Sequence, residues 1–450
     1  MAKKKQIELT IEEKLQNALV PKEEQPYKIP SNWCWLYSNF VVDVRDGTHD
    51  TPKYISEGYP LITSKNLKNN NIDFDKVNYI SKEDYEKINL RSKVDIGDVL
   101  FSMIGTIGNP VLIKGQTNYA IKNVALFKDI NLINMTFFRF YLETKFVIDK
   151  MKKEAKGSTQ KFVSLKYLRN FPICYPSLEE QQRIVNRIES LFAKLDRAKE
   201  LIENTLAQFE QNKMAILHKA FTGELTAKWR KENNIDLSSW EKIKLGKVLL
   251  PMQTKKPTGQ FFRYIDIDAI DNKRQIVKAP KLILTEKAPS RASRGVETGN
   301  ILFSMVRPYL KNIAQIDSDL SDCIASTGFY VCRCKPELNS RFLYYLFIFD
   351  KTIDYLMQFM KGDNSPSIRK DDLLNMKIDL PTIEEQQEIV NILDNLLAKY
   401  NKIKNLEQQL EKIELLKKAI LAKAFRGELG TNNPDEESAE NLLKEILAEK

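Results

Sequence analysis

One long stretch of this chain, Pro176 to Leu225, occurs twice. It opens Pro176-Ser177-Leu178-Glu179-Glu180-Gln181-Gln182 and closes Lys219-Ala220-Phe221-Thr222-Gly223-Glu224-Leu225. Downstream the chain reads Pro381-Thr382-Ile383-Glu384-Glu385-Gln386-Gln387 and closes Lys423-Ala424-Phe425-Arg426-Gly427-Glu428-Leu429. Openings and closings keep almost the same separation, so the two copies differ in length by one residue. A separation of some two hundred residues is far too long for a solenoid period. It marks duplication of half a protein.

Each copy reads as one long helix. Ser177 followed by Glu180, and Thr382 followed by Glu385, have the spacing of a capping box. Gly223 and Gly427 stand where a glycine ends a helix. No proline or glycine lies between these signals. Apolar residues recur every seven: Ile188, Leu195, Ile202, Phe209 and Ile216 in the first copy. In the second, Leu396, Ile403 and Leu410 interleave with Leu406, Ile413 and Ile420. That is a coiled-coil seam. Leu178 to Phe221 makes a rod of roughly 66 Å. Two such rods pack on each other as a spacer, antiparallel given the connectivity.

The rods divide the rest of the 450 residues. The expected order is an N-terminal helix (1–21), a globular segment (22–176), the first rod (177–227), a second globular segment (228–381), the second rod (382–430) and a charged helical tail (431–450). The globular segments are weakly alike. Gly97-Asp98-Val99-Leu100-Phe101-Ser102-Met103 matches Gly299-Asn300-Ile301-Leu302-Phe303-Ser304-Met305, and Trp33 matches Trp240. Each has a strand-like middle, then a helix (Met135 to Glu154; Ser340 to Lys361), then a polar loop led by Gly157 or Gly362. The fold class is therefore α+β: two globular α/β domains separated by two long antiparallel helices, with a pseudo-two-fold internal repeat. Similar scaffolds with different loops read two different things, and a rod fixes the distance between readers. A regular linear target such as DNA suits that plan.

Composition narrows the function. Lys and Arg number 70 against 60 Asp and Glu, a net charge of +10, which favours a polyanionic partner. The chain has no P-loop, no Gly-x-Gly-x-x-Gly and no Asn/Asp-Pro-Pro-aromatic run of the amino-methyltransferase kind. Only two histidines occur: His218 inside the first rod and His49 in a polar turn. Asp266, Asp268 and Asp271 alternate with apolar residues, and a half-exposed strand explains them better than Mg²⁺. Pro434-Asp435, Glu440 and Lys444 lie in the charged tail, which sets aside a nuclease reading. The five cysteines are scattered and read as reduced thiols rather than a metal site or disulfide frame. The opening Met1-Ala2-Lys3-Lys4-Lys5 leads into glutamates rather than a signal-peptide core, so the expected compartment is the cytoplasm. A stand-alone nuclease or methyltransferase lacks its motifs here. A purely structural coiled coil has no use for two divergent basic domains.

At this point the residues resemble a family. Pro176 to Val185, Pro381 to Val390, the two Lys-Ala-Phe-x-Gly-Glu-Leu closings, Gly97 to Ser102 and the Gly-Ser-Thr-Gln loop at Gly157 look like the specificity (S) subunits of type I restriction–modification systems. The resemblance covers nearly the whole chain. It implies two target-recognition domains that bind a bipartite, asymmetric site in double-stranded DNA. It implies no catalysis by this chain and no cofactor bound to it. Two methyltransferase (M) subunits would carry S-adenosylmethionine and methylate adenine. Restriction (R) subunits, when present, would bring ATP and Mg²⁺. The second domain departs from the pattern, with Gly362-Asp363-Asn364-Ser365-Pro366 in place of Gly-Ser-Thr-Gln.

Sequence is read by side chains at base edges, with Arg and Lys on guanine and Asn and Gln on adenine. Phosphates need only charge and amides. In the first domain the best-supplied stretches hold Thr48, His49, Thr51 and Lys53; Ser64, Lys65, Asn66 and Lys68; and Ser158, Thr159, Gln160 and Lys161. In the second they hold Lys255 and Lys256; Arg291 and Arg294; Arg307 and Lys311; and Asn364, Ser365, Ser367, Arg369 and Lys370. These are the expected DNA-binding residues.

Overall fold

A computed structural model describes residues 10–157, 161–398 and 404–449. The chain forms two compact units, Met1–Leu201 with Gln408–Lys450, and Ile202–Glu407. The first long helix, Leu178–Phe221, contributes its early turns to one unit and its later turns to the other. The second repeat is helical over Ile383–Ala398 and Lys404–Ala424. Residues 399–403, Ile403 of the seam among them, lie outside the described residues. Within the first unit the two helices run antiparallel. Lys417 Nζ lies 2.5 Å from Asp196 and 5.2 Å from the Phe192 ring centre, while Lys199 Nζ lies 3.1 Å from Glu414.

The same sheet plan is built twice. In the first unit four antiparallel strands lie in the order Val42–Asp46, Val124–Asp129, Val99–Ser102, Gly108–Leu112. In the second the order is Leu249–Leu250, Phe329–Cys334, Ile301–Ser304, Ile313–Gln315. The matched Val-Leu-Phe-Ser and Ile-Leu-Phe-Ser runs are central strands, buried at all four positions. Burial on both faces explains why they read as continuous apolar runs rather than alternating ones. Each unit adds a second sheet around Tyr59–Ile62 or Phe261–Ile265, both of which pair with one parallel neighbour. Each is closed by a two-stranded pair, Cys34–Tyr37 with Pro172–Tyr175 and Glu241–Lys244 with Lys377–Leu380. The last strand of each pair leads directly into a long helix.

The duplicated Glu-Glu-Gln-Gln runs work from inside. Ser177 Oγ and Thr382 Oγ1 accept from the Glu180 and Glu385 amides at 3.2 and 3.4 Å, as a helix cap requires. The glutamates do not complete the expected capping box; their carboxylates turn to long-range partners. Glu385 is fully buried and accepts from Thr226 Oγ1 (2.6 Å), Arg230 (2.5 Å) and Trp240 Nε1 (2.9 Å). Glu180 is 1 % exposed and accepts from Thr431 Oγ1 at 2.7 Å and Arg183 Nε at 2.9 Å. Burial pushes the Glu180 carboxyl up, while Thr431 and Arg183 pull it back. The buried glutamines follow suit. Gln181 takes the Asn134 amide at 2.8 Å and donates to Pro176 O, and Gln386 repeats this with Asn339 and Pro381. Asn134 and Asn339 cap the helices Met135–Glu143 and Ser340–Ile348. Each run therefore fastens three things at once: the segment after the other long helix, the start of its own, and a helix of the adjoining sheet domain.

Several expected elements differ. The helix expected over Met135 to Glu154 is two, Met135–Glu143 and Lys145–Glu154. Thr144 takes extended backbone between them, donating to Tyr141 O and accepting from Val147 N. Its counterpart expected over Ser340 to Lys361 breaks at Phe349 into Ser340–Ile348 and Asp350–Met357. The first described helix is Ile11–Ala18, capped by a Thr10–Glu13 box, and Leu19 and Val20 bond to the strand holding Trp35. The Asp266 to Asp271 run is not a strand throughout. Asp266 accepts from Ala269 N to cap a 3₁₀ turn, Ile267–Ala269, and pairs with Lys281 at 2.5 Å. Ile188 and Ile413 are fully or nearly buried, whereas Leu195, Ile202, Phe209, Ile216, Leu396, Leu410 and Ile420 are half-buried. Side chains the heptads did not single out, Ile184, Leu217, Ile389 and Leu393, are as fully buried as Ile188. No helix among the described residues is long and apolar enough to cross a membrane.

The two clasps are unequal. Arg230 and Glu385 are 8 % and 0 % exposed, whereas Arg183 is 36 % exposed. Removing one member of a buried pair strands the other, at a cost of roughly 3–5 kcal/mol. Glu385→Ala is expected to lower unfolding free energy by that amount, and Glu180→Ala by about 1–2 kcal/mol. Urea unfolding of both variants checks the order; equal losses, or the reverse order, contradict it.

Candidate nucleic-acid interface

In the first unit the polar loops meet at the end of Val99–Ser102. Asn123 is their node. Its amide donates to Thr48 O, its carbonyl accepts from Ser64 Oγ, and its side-chain oxygen lies 2.9 Å from His49 Nδ1. The other His49 nitrogen lies 2.9 Å from Asp46, a carboxylate that also pairs with Arg91. Lys122 Nζ donates to Asp50 O at 2.9 Å and bonds to Thr51 Oγ1. Gly47 is required here, because a Cβ would sit 2.2 Å from Ile121 O. Ser102 Oγ donates to Ser64 O, tying this cluster to the strand. On the other side of the strand end, Val163 N donates to Met103 O and Gly105 N to Lys161 O.

The second unit repeats the convergence with other residues. Lys255 N donates to Ser293 O, and Gly295 N to Gln253 O. Arg291 O accepts from Thr327 N, and Met305 N donates to Gly328 O. The turn after Ile301–Ser304 knits to the Gly362 loop: Ile368 N donates to Met305 O, Arg307 N to Pro366 O, and Arg307 Nη2 to Asn364 O at 2.8 Å.

The expected DNA-binding residues that the structure describes fall into three groups. Side chains of His49, Thr51, Lys53, Lys65, Lys68, Lys161, Lys255, Lys256, Arg291, Arg307, Asn364, Ser365, Arg369 and Lys370 are on the surface. Thr48, Ser64, Arg294, Lys311 and Ser367 are half-buried. Lys311 Nζ turns inward to Ile348 O and Asp350. Ser367 exchanges backbone hydrogen bonds with Lys361. Arg369 N donates to Asp372 at the start of the helix Lys370–Leu374. Asn66 is 5 % exposed, and its amide is fully engaged: it accepts from Thr63 N and donates to Asp73 O and Lys76 O. It is a loop staple, unable to reach a base edge. Ser158, Thr159 and Gln160 lie outside the described residues. Sequence reasoning passed over Lys122, Asn123 and Arg91, which hold the first cluster. The left-handed backbone of Asn123 (φ 55°) is the local sign of such a turn.

The cysteines are all unpaired as thiols. Burial pushes Cys34 up to about 12 and Cys323 up to about 11. Thiols held protonated are poor metal ligands and nucleophiles. Among the described residues no group of three His, Cys, Asp or Glu is arranged to hold a metal ion. Exposed cations, hydroxyls and amides on turn-rich loops suit a phosphate-lined groove.

Known proteins share this plan. Residues 47–208 and 240–415 each match the family model described as the type I restriction modification DNA specificity domain. The chain is 27% identical to the type I restriction enzyme EcoDI specificity subunit of Escherichia coli, over 67% of this chain and 74% of that protein. It is 24% identical to the StySPI specificity subunit of Salmonella potsdam, over 94% of this chain and 96% of that protein. A chain from a structure of the assembly and conformational transition of the type I R-M system matches at TM-score 0.67 and 20% identity, over 90% of this chain and all of that one. The HsdS subunit of Thermoanaerobacter tengcongensis matches at TM-score 0.51 and 20% identity, over 90% and 99%. Two matched domains, built on one sheet plan and fastened to duplicated long helices, place this chain in the type I restriction–modification DNA specificity family.

Proposed function

We propose that this chain is the DNA-reading subunit of a type I restriction–modification enzyme and carries out no catalysis itself. It binds a bipartite, asymmetric duplex site, one half-site to each recognition domain. It docks two methyltransferase subunits and, where present, restriction subunits. S-adenosylmethionine, ATP and Mg²⁺ belong to those partners. The observation that carries this reading is one scaffold used twice with different loop surfaces, on a chain of net charge +10. Identical scaffolds give two domains the same way of approaching a duplex. Different loops give them different bases to read. Duplicated helices give two equivalent sites to a repeated partner.

Purified alone, the chain is expected to transfer no methyl group from S-adenosylmethionine to DNA. Sequence-specific adenine methylation should arise only when methyltransferase subunits are added. Methyl transfer by the pure chain would overturn the reading. Binding to duplex should weaken steeply with salt, as phosphate neutralisation demands; salt-insensitive binding would contradict it.

A further inference from the structure

We infer that the turn Arg307 to Lys311 grips the DNA phosphate backbone rather than base edges, with Arg307 as its contact; this rests on the DNA-reading function proposed above. The turn has an equivalent in the first unit. Matching the Phe-Ser-Met runs places Gly105 at Arg307 and Asn109 at Lys311. Both ends have left-handed φ in each unit: 76° at Gly105 and 47° at Arg307, 50° at Asn109 and 51° at Lys311. The anchor is the same too. Gly105 N donates to Lys161 O and Arg307 N to Pro366 O, each at 2.8 Å. Each turn is thus held against the polar loop of its own domain.

Two domains whose surfaces otherwise diverge have kept the ends of this turn and its anchor, although residues 308–310 form a 3₁₀ helix and residues 106–108 do not. A task shared by readers of different half-sites is the sequence-independent one, holding the phosphate backbone. Glycine adopts the left-handed conformation freely, and arginine does not. The second unit nevertheless places arginine there, in a backbone that other residues resist. Pro308 follows and fixes the turn, which runs as a 3₁₀ helix Pro308–Leu310. Strained residues persist where they serve a function. The Arg307 side chain is exposed, and its Nη2 is steadied by the Asn364 carbonyl. Lys311, at the other end, is turned inward to Ile348 O and Asp350, so it leaves the contact to Arg307. Where the first domain has a glycine with no side chain, the second adds a charge.

The test uses the full chain assembled with its methyltransferase subunits, on a duplex carrying its methylated site. Arg307→Gly restores the glycine of the first unit and is expected to unfold at a temperature no lower than the parent. Its methylated sequence should stay the same. Affinity should fall roughly tenfold, the effect of losing one hydrogen bond to a charged group. The slope of log affinity against log salt should shrink by about 0.9, the value for one phosphate. Arg307→Gln should show the same two losses, and Arg307→Lys should keep the slope. Unchanged affinity and slope in both uncharged variants would overturn the inference, as would a relaxed or altered second half-site. A parent assembly that binds no defined sequence would instead sink the underlying reading.

Discussion

A buried carboxylate at the start of each long helix is the interaction on which the rest of this structure depends. Glu385 gathers Thr226, Arg230 and Trp240, and Glu180 gathers Thr431 and Arg183. An unpaired charge at these positions would be costly, so the partners must be present together. That requirement ties segments far apart in sequence: Thr226 lies 159 residues from Glu385, and Thr431 lies 251 from Glu180. The neighbouring glutamines extend the clasp to Asn134 and Asn339, the caps of the recognition-domain helices. A sheet domain, the start of one long helix and the segment after the other thereby become one cooperative unit. The most recognisable motif of the chain is a fastening.

Division of labour follows. The fastening glutamates and glutamines are buried and recur in both repeats, while the cations that pair with the glutamates differ in place and exposure. Residues proposed to contact DNA stand on loops around the ends of two buried central strands, and they differ between repeats. The matched turns at Gly105 and Arg307 stand between these classes, alike in backbone at their ends and unlike in side chain. Rigid strands position loops, and loops carry the chemistry. On the proposed reading, exchangeable loops on a fixed frame let specificity change without disturbing the surface that docks partner subunits.

Sequence made much of this plan legible, because the signals involved are local. A hydroxyl cap, a terminal glycine and seven-residue spacing sufficed to place the long helix. Gly223 and Gly427 do take left-handed backbone, at φ 82° and 73°. Long-range chemistry stayed hidden. Glu180 has the spacing of a capping box, but its partner Thr431 is near the other end of the chain. Thr144 carried a usable cap signal inside an apolar run, and the run's periodicity masked the break. Asp266 alternated like a strand residue and capped a turn. The proposed recognition loops were chosen by composition alone. Composition does not distinguish Asn66, whose amide is consumed by its own loop, from Lys65 beside it on the surface.

The central claim is that two domains on one frame read DNA independently. Its most direct test replaces residues 22–175 with the equivalent domain of a relative, assembles the chimera with the methyltransferase subunits, and maps every methylated adenine. The account predicts one changed half-site beside one unchanged half-site. Two changed half-sites, or none, would contradict it.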